Sequence, residues 1–152
     1  MSLIRLQVPG SLEFRDLAVR VVAAACKLVS GGIPAEPEGL RAEFDNQVIS
    51  AFGEAFNNAA IHSYRGRPLG AVEIEIELEP QRITLRICDY GISFDPTTIE
   101  APDLDSMPES GMGLFIMRSF MDSVFYKAGA PNVLSMTKHL HPDGGAQDGG
   151  AP

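Results

Sequence analysis

The 152-residue chain predicts an α+β fold, a two-layer sandwich of helices against one sheet. Three observations carry that expectation. Two long helical patterns follow one another directly, the remaining strands fall into hairpins, and the length suits a single core. The predicted order is strand, long helix, long helix, two strands, a long loop, a helix and two more strands. A doubly wound parallel sheet would alternate strands and helices instead.

Each element has its own signal. Ile4, Leu6 and Val8 share one face of a strand over 3–8, which Pro9-Gly10 breaks. Ser11 is a candidate N-cap with Glu13 in the first turn, and the helix should run over 12–29 with Leu17, Val21, Ala24, Ala25 and Leu28 as its apolar stripe. Ser30 through Pro34 ends it, and 34–37 reads as a loop. The second helix is predicted over 39–64, since Phe44, Val48, Phe52, Ala55, Phe56 and Ala59 recur at three- and four-residue spacing. In the next hairpin Val72, Ile74, Ile76 and Leu78 alternate with glutamates, and Ile83, Leu85 and Ile87 alternate with Thr84, Arg86 and Cys88 around a turn at Pro80-Gln81. One face is thus buried and the other wet, with Arg82 and Arg86 offsetting the glutamates across the strands. The stretch 89–113, about 25 residues, reads as a lid-like loop. A helix over 112–121 and strands at 124–127 and 133–139 follow, and the Gly- and Asp-rich tail 141–152 reads as disordered.

Composition narrows the function. Apolar residues make up 45% and charged residues 21%, as in ordinary globular domains. A net charge of −8 with 12 basic residues argues against nucleic-acid binding and is compatible with a basic protein partner. No run reaches the ~18 apolar residues of a membrane span, and the N-terminus alternates rather than forming a signal core, so a cytoplasmic location is expected. Cys26 and Cys88 match no zinc spacing and read as reduced, buried thiols.

Three clusters carry chemistry. Glu54 and Asn58 lie one turn apart at the edge of the second helix's apolar stripe. A carboxamide oxygen can ligate Mg²⁺ without adding charge, and a carboxylate can orient and deprotonate a nucleophile. Asp89 and Gly91 follow a strand, where a carboxylate can accept from an exocyclic amine and a glycine allows close backbone approach. Ser110, Gly111, Met112 and Gly113 open a helix whose bare N–H groups make an anion site. Read singly, each has a plain structural alternative: a solvated helix edge, an Asp-x-Gly turn, a flexible hinge.

In this order and spacing, the three clusters resemble the GHKL-type (Bergerat) ATP-binding fold, and more narrowly the anti-sigma factor serine/threonine kinases. The stretch from Glu54 to Tyr64 resembles that family's N-box, 89–95 its first glycine box and 110–124 its second. The resemblance implies a mixed, mainly antiparallel sheet and one ATP-binding domain over 1–140. It implies that Asn58 ligates Mg²⁺ on ATP, Glu54 is the base toward a serine or threonine hydroxyl, and Asp89 with Gly91 holds adenine. Ser110, Gly111, Met112 and Gly113 would belong to the phosphate lid. The implied partners are a STAS-type anti-anti-sigma substrate, a sigma factor held inactive and a second copy in a homodimer. Three positions depart from the family pattern. Ser93 stands where many members have a glycine, Glu109 precedes the glycines where a basic residue is expected, and the strand around Asn132-Val133-Leu134 lacks the Gly-Thr pair that supports the adenine aspartate. The alternative reading is a partner-switching module of the same fold that transfers no phosphate.

Overall fold

The computed structural model describes residues 1–29, 38–93 and 109–140. In chain order they form β1 (Ser2–Pro9), a 3₁₀ turn (Leu12–Phe14) leading into α1 (Arg15–Cys26), and α2 (Glu38–Asn57), which continues as a π-helical turn (Asn58–Ser63). Then come β2 (Ala71–Glu79), β3 (Arg82–Asp89), α3 (Glu109–Phe120), β4 (Ser123–Lys127) and β5 (Asn132–His139). The sheet order is β1-β2-β3-β5-β4. The expected two-layer sandwich is the one observed, and every pairing among the described strands is antiparallel where a mixed sheet was expected.

Alternation in the sequence builds the two faces. Val72, Ile74, Ile76 and Leu78 of β2 and Ile83, Leu85 and Ile87 of β3 are buried, while the residues between them are partly exposed. Phe44, Val48, Phe52 and Phe56 of α2 complete this core together with Leu114 and Met117 of α3. On the wet face, Arg86 pairs with Glu77 at 2.7 Å, Arg5 with Glu75 at 3.0 Å, and Arg82 with Glu79. Such exposed pairs are each worth a few tenths of a kcal/mol, about 0.5. Their larger effect is to relieve four like charges on one strand.

Some expectations need correction. The buried face of α1 is Ala18, Val22, Ala25 and Cys26, while Leu17 and Leu28 are exposed. Val21 through Ala25 is apolar on every side, so periodicity could not choose the face. Cys26 is buried as expected, but Cys88 is only half-buried, because it sits on the polar phase of β3. The helix expected at 112 begins at Glu109, which places both glycines of the third cluster inside its first turns. Ser11 does cap the first turn, its hydroxyl accepting from Glu13 N–H at 3.3 Å. The expected loop at 34–37, most of the expected lid and the tail lie outside the described residues.

The inward phase of β5 is unusual in that both ends are polar: Asn132, Leu134, Met136 and Lys138. The Lys138 ammonium donates to the Phe120 carbonyl at 2.6 Å and so closes the C-terminal end of α3. Burial lowers the pKa of that ammonium.

Candidate functional site

Glu54 and Asn58 come from the last turn of α2 and the first residue of the π turn. Asn58 is almost wholly buried, and Glu54 is half-buried. Gly113 of α3 lies directly over them. A Cβ at Gly113 would stand 3.0 Å from Glu54 Oε2 and 3.7 Å from Asn58 Oδ1. A side chain at position 113 would press on the Glu54 carboxylate while only touching Asn58. The site therefore places a carboxylate oxygen and a carboxamide oxygen beside the start of α3. The first N–H groups of that helix, from Glu109 through Gly111, have no intrahelical acceptor. Two hard oxygen donors next to an anion-favouring helix end suit a divalent cation and a phosphate group bound together.

The second glycine cluster forms a separate centre at the far end of β3. Asp89 continues the inward phase of Ile83, Leu85 and Ile87, which buries it. Its Oδ1 accepts from Gly91 N–H at 2.9 Å and from Asn132 Nδ2 at 2.9 Å. Among the described residues Oδ2 accepts no hydrogen bond, so the carboxylate is held through Oδ1 alone. Such an acceptor can take an exocyclic amine.

Gly91 does its work against protein. Its ideal Cβ would fall 2.1 Å from the Ser63 carbonyl oxygen, and Ile92 N–H donates to that same oxygen at 2.6 Å. The close approach expected of Gly91 is thus made to the end of the π turn. Ser63 in turn donates its hydroxyl to the Asn58 carbonyl at 3.4 Å. The π turn is the link that holds the Glu54/Asn58 pair and the Asp89 centre in one frame. Single π turns are often found at functional sites.

Sequence reasoning missed two residues. Tyr64, just beyond the π turn, donates its phenol to Ala71 O at 2.8 Å and accepts from Tyr90 N–H at 3.0 Å. It is buried, and its ring fills the space between Gly10 and Gly70, where a Cβ would meet it at 2.8 Å and 2.6 Å respectively. Burial, the largest influence, raises its pKa. Asn132 is the other. The signal for it was available, since Asn132 stands in phase with Leu134 and Met136 and so had to face inward.

Fold and site together define an α+β domain in which a carboxylate–carboxamide helix lies beside a glycine-opened helix, an arrangement that suits a phosphate-bearing ligand. Residues 17–138 match the family model described as the histidine kinase-like ATPase domain, and the chain belongs to that family. Within it, the chain resembles anti-sigma factor kinases. It is 38% identical over 86 residues to the anti-sigma F factor of Clostridium beijerinckii, a match covering 52% of this chain and 58% of that protein. It is 28% identical over 146 residues to the serine-protein kinase RsbW of Staphylococcus aureus, covering 90% of this chain and 86% of that one. Among the described residues no helix is long and apolar enough to cross a membrane.

Proposed function

We propose that this protein is an ATP-dependent serine/threonine protein kinase that phosphorylates a STAS-type anti-anti-sigma protein and sequesters a sigma factor. The observation that carries the reading is the convergence of Glu54 Oε2 and Asn58 Oδ1 on Gly113 at the start of α3. Asn58 offers a neutral oxygen to Mg²⁺ on the ATP phosphates. Glu54 serves as base toward the acceptor hydroxyl. Asp89 takes the adenine amine through its open Oδ2, with Gly91 fixing the loop beside it. Ser110 and Gly111 offer first-turn N–H groups to phosphate, Met112 lies beside them, and Gly113 gives the clearance. Bound Mg²⁺ would neutralise phosphate charge, and the remaining catalysis is positioning. The location would be cytoplasmic and the assembly a homodimer.

The test separates the roles of the two helix residues. Glu54→Gln is expected to keep ATP binding by calorimetry and to lose at least ~100-fold in phosphate transfer to a cognate STAS protein, the usual scale for a general base. Asn58→Ala is expected to lose the Mg²⁺-dependent part of ATP binding. Undiminished transfer by Glu54→Gln refutes the assignment. The rival reading, a module that transfers no phosphate, predicts that both variants still bind the partners and that the wild type transfers nothing.

A further inference from the structure

Among the described residues, the Asn132 side chain has every one of its hydrogen-bonding positions in use. It is fully buried, and its carboxamide has two donors and two acceptor sites. All four are taken. Nδ2 donates to Asp89 Oδ1 at 2.9 Å and to the Gly91 carbonyl at 3.0 Å. Oδ1 accepts from Gly129 N–H at 2.9 Å and from the Ser93 hydroxyl. The orientation of the amide is fixed by chemistry, because a flipped carboxamide would set oxygen against a carboxylate and a carbonyl and leave two donors facing its nitrogen.

The register explains how one residue reaches so much. Asp89 and Asn132 are directly paired as the last inward residue of β3 and the first of β5. The asparagine therefore joins the strand exit at 89, the loop at 91–93 and the turn before β5. It also chooses which carboxylate oxygen remains. By occupying Oδ1 together with Gly91 N–H, it leaves Oδ2 without a hydrogen bond among the described residues.

Two of the departures from the family pattern thus meet in one contact. Ser93 replaces a glycine, and the strand lacks its Gly-Thr pair, yet the Ser93 hydroxyl donates to Asn132. We propose that Asn132, steadied by Ser93, is the positioning residue that orients Asp89 for purine recognition and so sets the preference for a 6-amino over a 6-oxo purine. This rests on the reading that Asp89 receives a nucleotide base. An acceptor held at one angle rewards an amine and repels a carbonyl; an acceptor free to rotate can swing away from the carbonyl or recruit water.

Binding of ATP and of inosine triphosphate, each with Mg²⁺, measures this directly, because the second nucleotide carries a carbonyl where adenine has its amine. The wild type is expected to prefer ATP by about tenfold or more. In Asn132→Ala the Kd for ATP should rise about tenfold or more while that for inosine triphosphate changes little, so the preference collapses toward about one. Ser93→Ala, at an exposed position, should lower the preference by about threefold, and it decides the matter if Asn132→Ala does not fold. A purely structural role would weaken both nucleotides by the same factor, and that result overturns the inference. So does a wild-type preference that survives in a folded Asn132→Ala. Failure of the wild type to bind either nucleotide overturns the nucleotide reading itself, and this inference falls with it.

Discussion

Gly91→Ala is the substitution whose effect follows most directly from coordinates. The added methyl would sit 2.1 Å from Ser63 O, 2.4 Å from Ser63 C and 2.8 Å from Ser63 Cβ. Two of these three atoms are backbone, so no rotamer change can clear them. Reaching even a tight carbon–oxygen contact needs a displacement of about 1 Å. That shift stretches the 2.6 Å bond from Ile92 N–H to Ser63 O and disturbs the Gly91 bonds to Asp89 and Asn132. One lost hydrogen bond costs about 1 kcal/mol and overpacking about 1–3 kcal/mol. The expected loss is about 2–4 kcal/mol, or a Tm lower by roughly 6–12 °C for a domain of this size. Urea and thermal unfolding measure it. Gly66→Ala supplies the contrast. Gly66 has φ +71° with nothing within 4 Å of its ideal Cβ, so that change should cost only the left-handed penalty, about 1 kcal/mol. If Gly91→Ala costs no more than Gly66→Ala, the argument that Gly91 exists to let two backbones touch is wrong.

Three other outcomes are expected. Gly113→Ala should leave Tm unchanged or raise it, since alanine favours helix by about 1 kcal/mol, yet lower phosphate transfer about tenfold or more by crowding Glu54; paired unfolding and transfer assays check both. Burial, aided by Asp45, raises the Cys26 pKa from 9.0 to about 12. With the folded value above the unfolded one, its contribution to stability is complete below pH ~9 and is lost as pH rises toward ~12, at most about 4 kcal/mol, and Cys26→Ala should flatten that part of the alkaline stability profile. Lys138→Met keeps the length of the side chain but leaves the Phe120 carbonyl without its donor, so chemical denaturation should show a loss of about 1–2 kcal/mol.

The sheet was legible because its strands alternate cleanly. Ile83, Leu85 and Ile87 are separated by Thr84 and Arg86, and the period leaves no second choice of face. The face of α1 was not legible, because Val21 through Ala25 has no polar residue to mark a side. The start of α3 was missed for a different reason. Glycines weaken a helix locally, and here Gly111 and Gly113 lie within one whose later residues Leu114 and Met117 are anchored in the core. Glu54 and Asn58 could be singled out from residue type and helical spacing, and they do meet beside Gly113; Asp89 could be singled out by its place at the exit of β3. Asn132 went unseen although its phase was readable, since a lone asparagine announces nothing until Asp89 is placed opposite. The strand that lacks the Gly-Thr pair carries, in Asn132, a different hydrogen-bond donor to Asp89.

The π turn at Asn58–Ser63 bears on how this chain tolerates change in length. A π turn carries one residue more than the α-helix it interrupts, so its geometry depends on residue count as much as on residue type. Deleting one residue between Asn58 and Ser63 would only restore α-helical winding, whereas inserting one more would exceed what the turn absorbs and rotate everything beyond it by about 100°. Ser63 would leave Gly91, and Tyr64 would leave its slot between Gly10 and Gly70. Side chains along 59–61 can drift among residues of similar size, but the spacing from Asn58 to Tyr64 cannot lengthen by even one residue without uncoupling the two halves of the site.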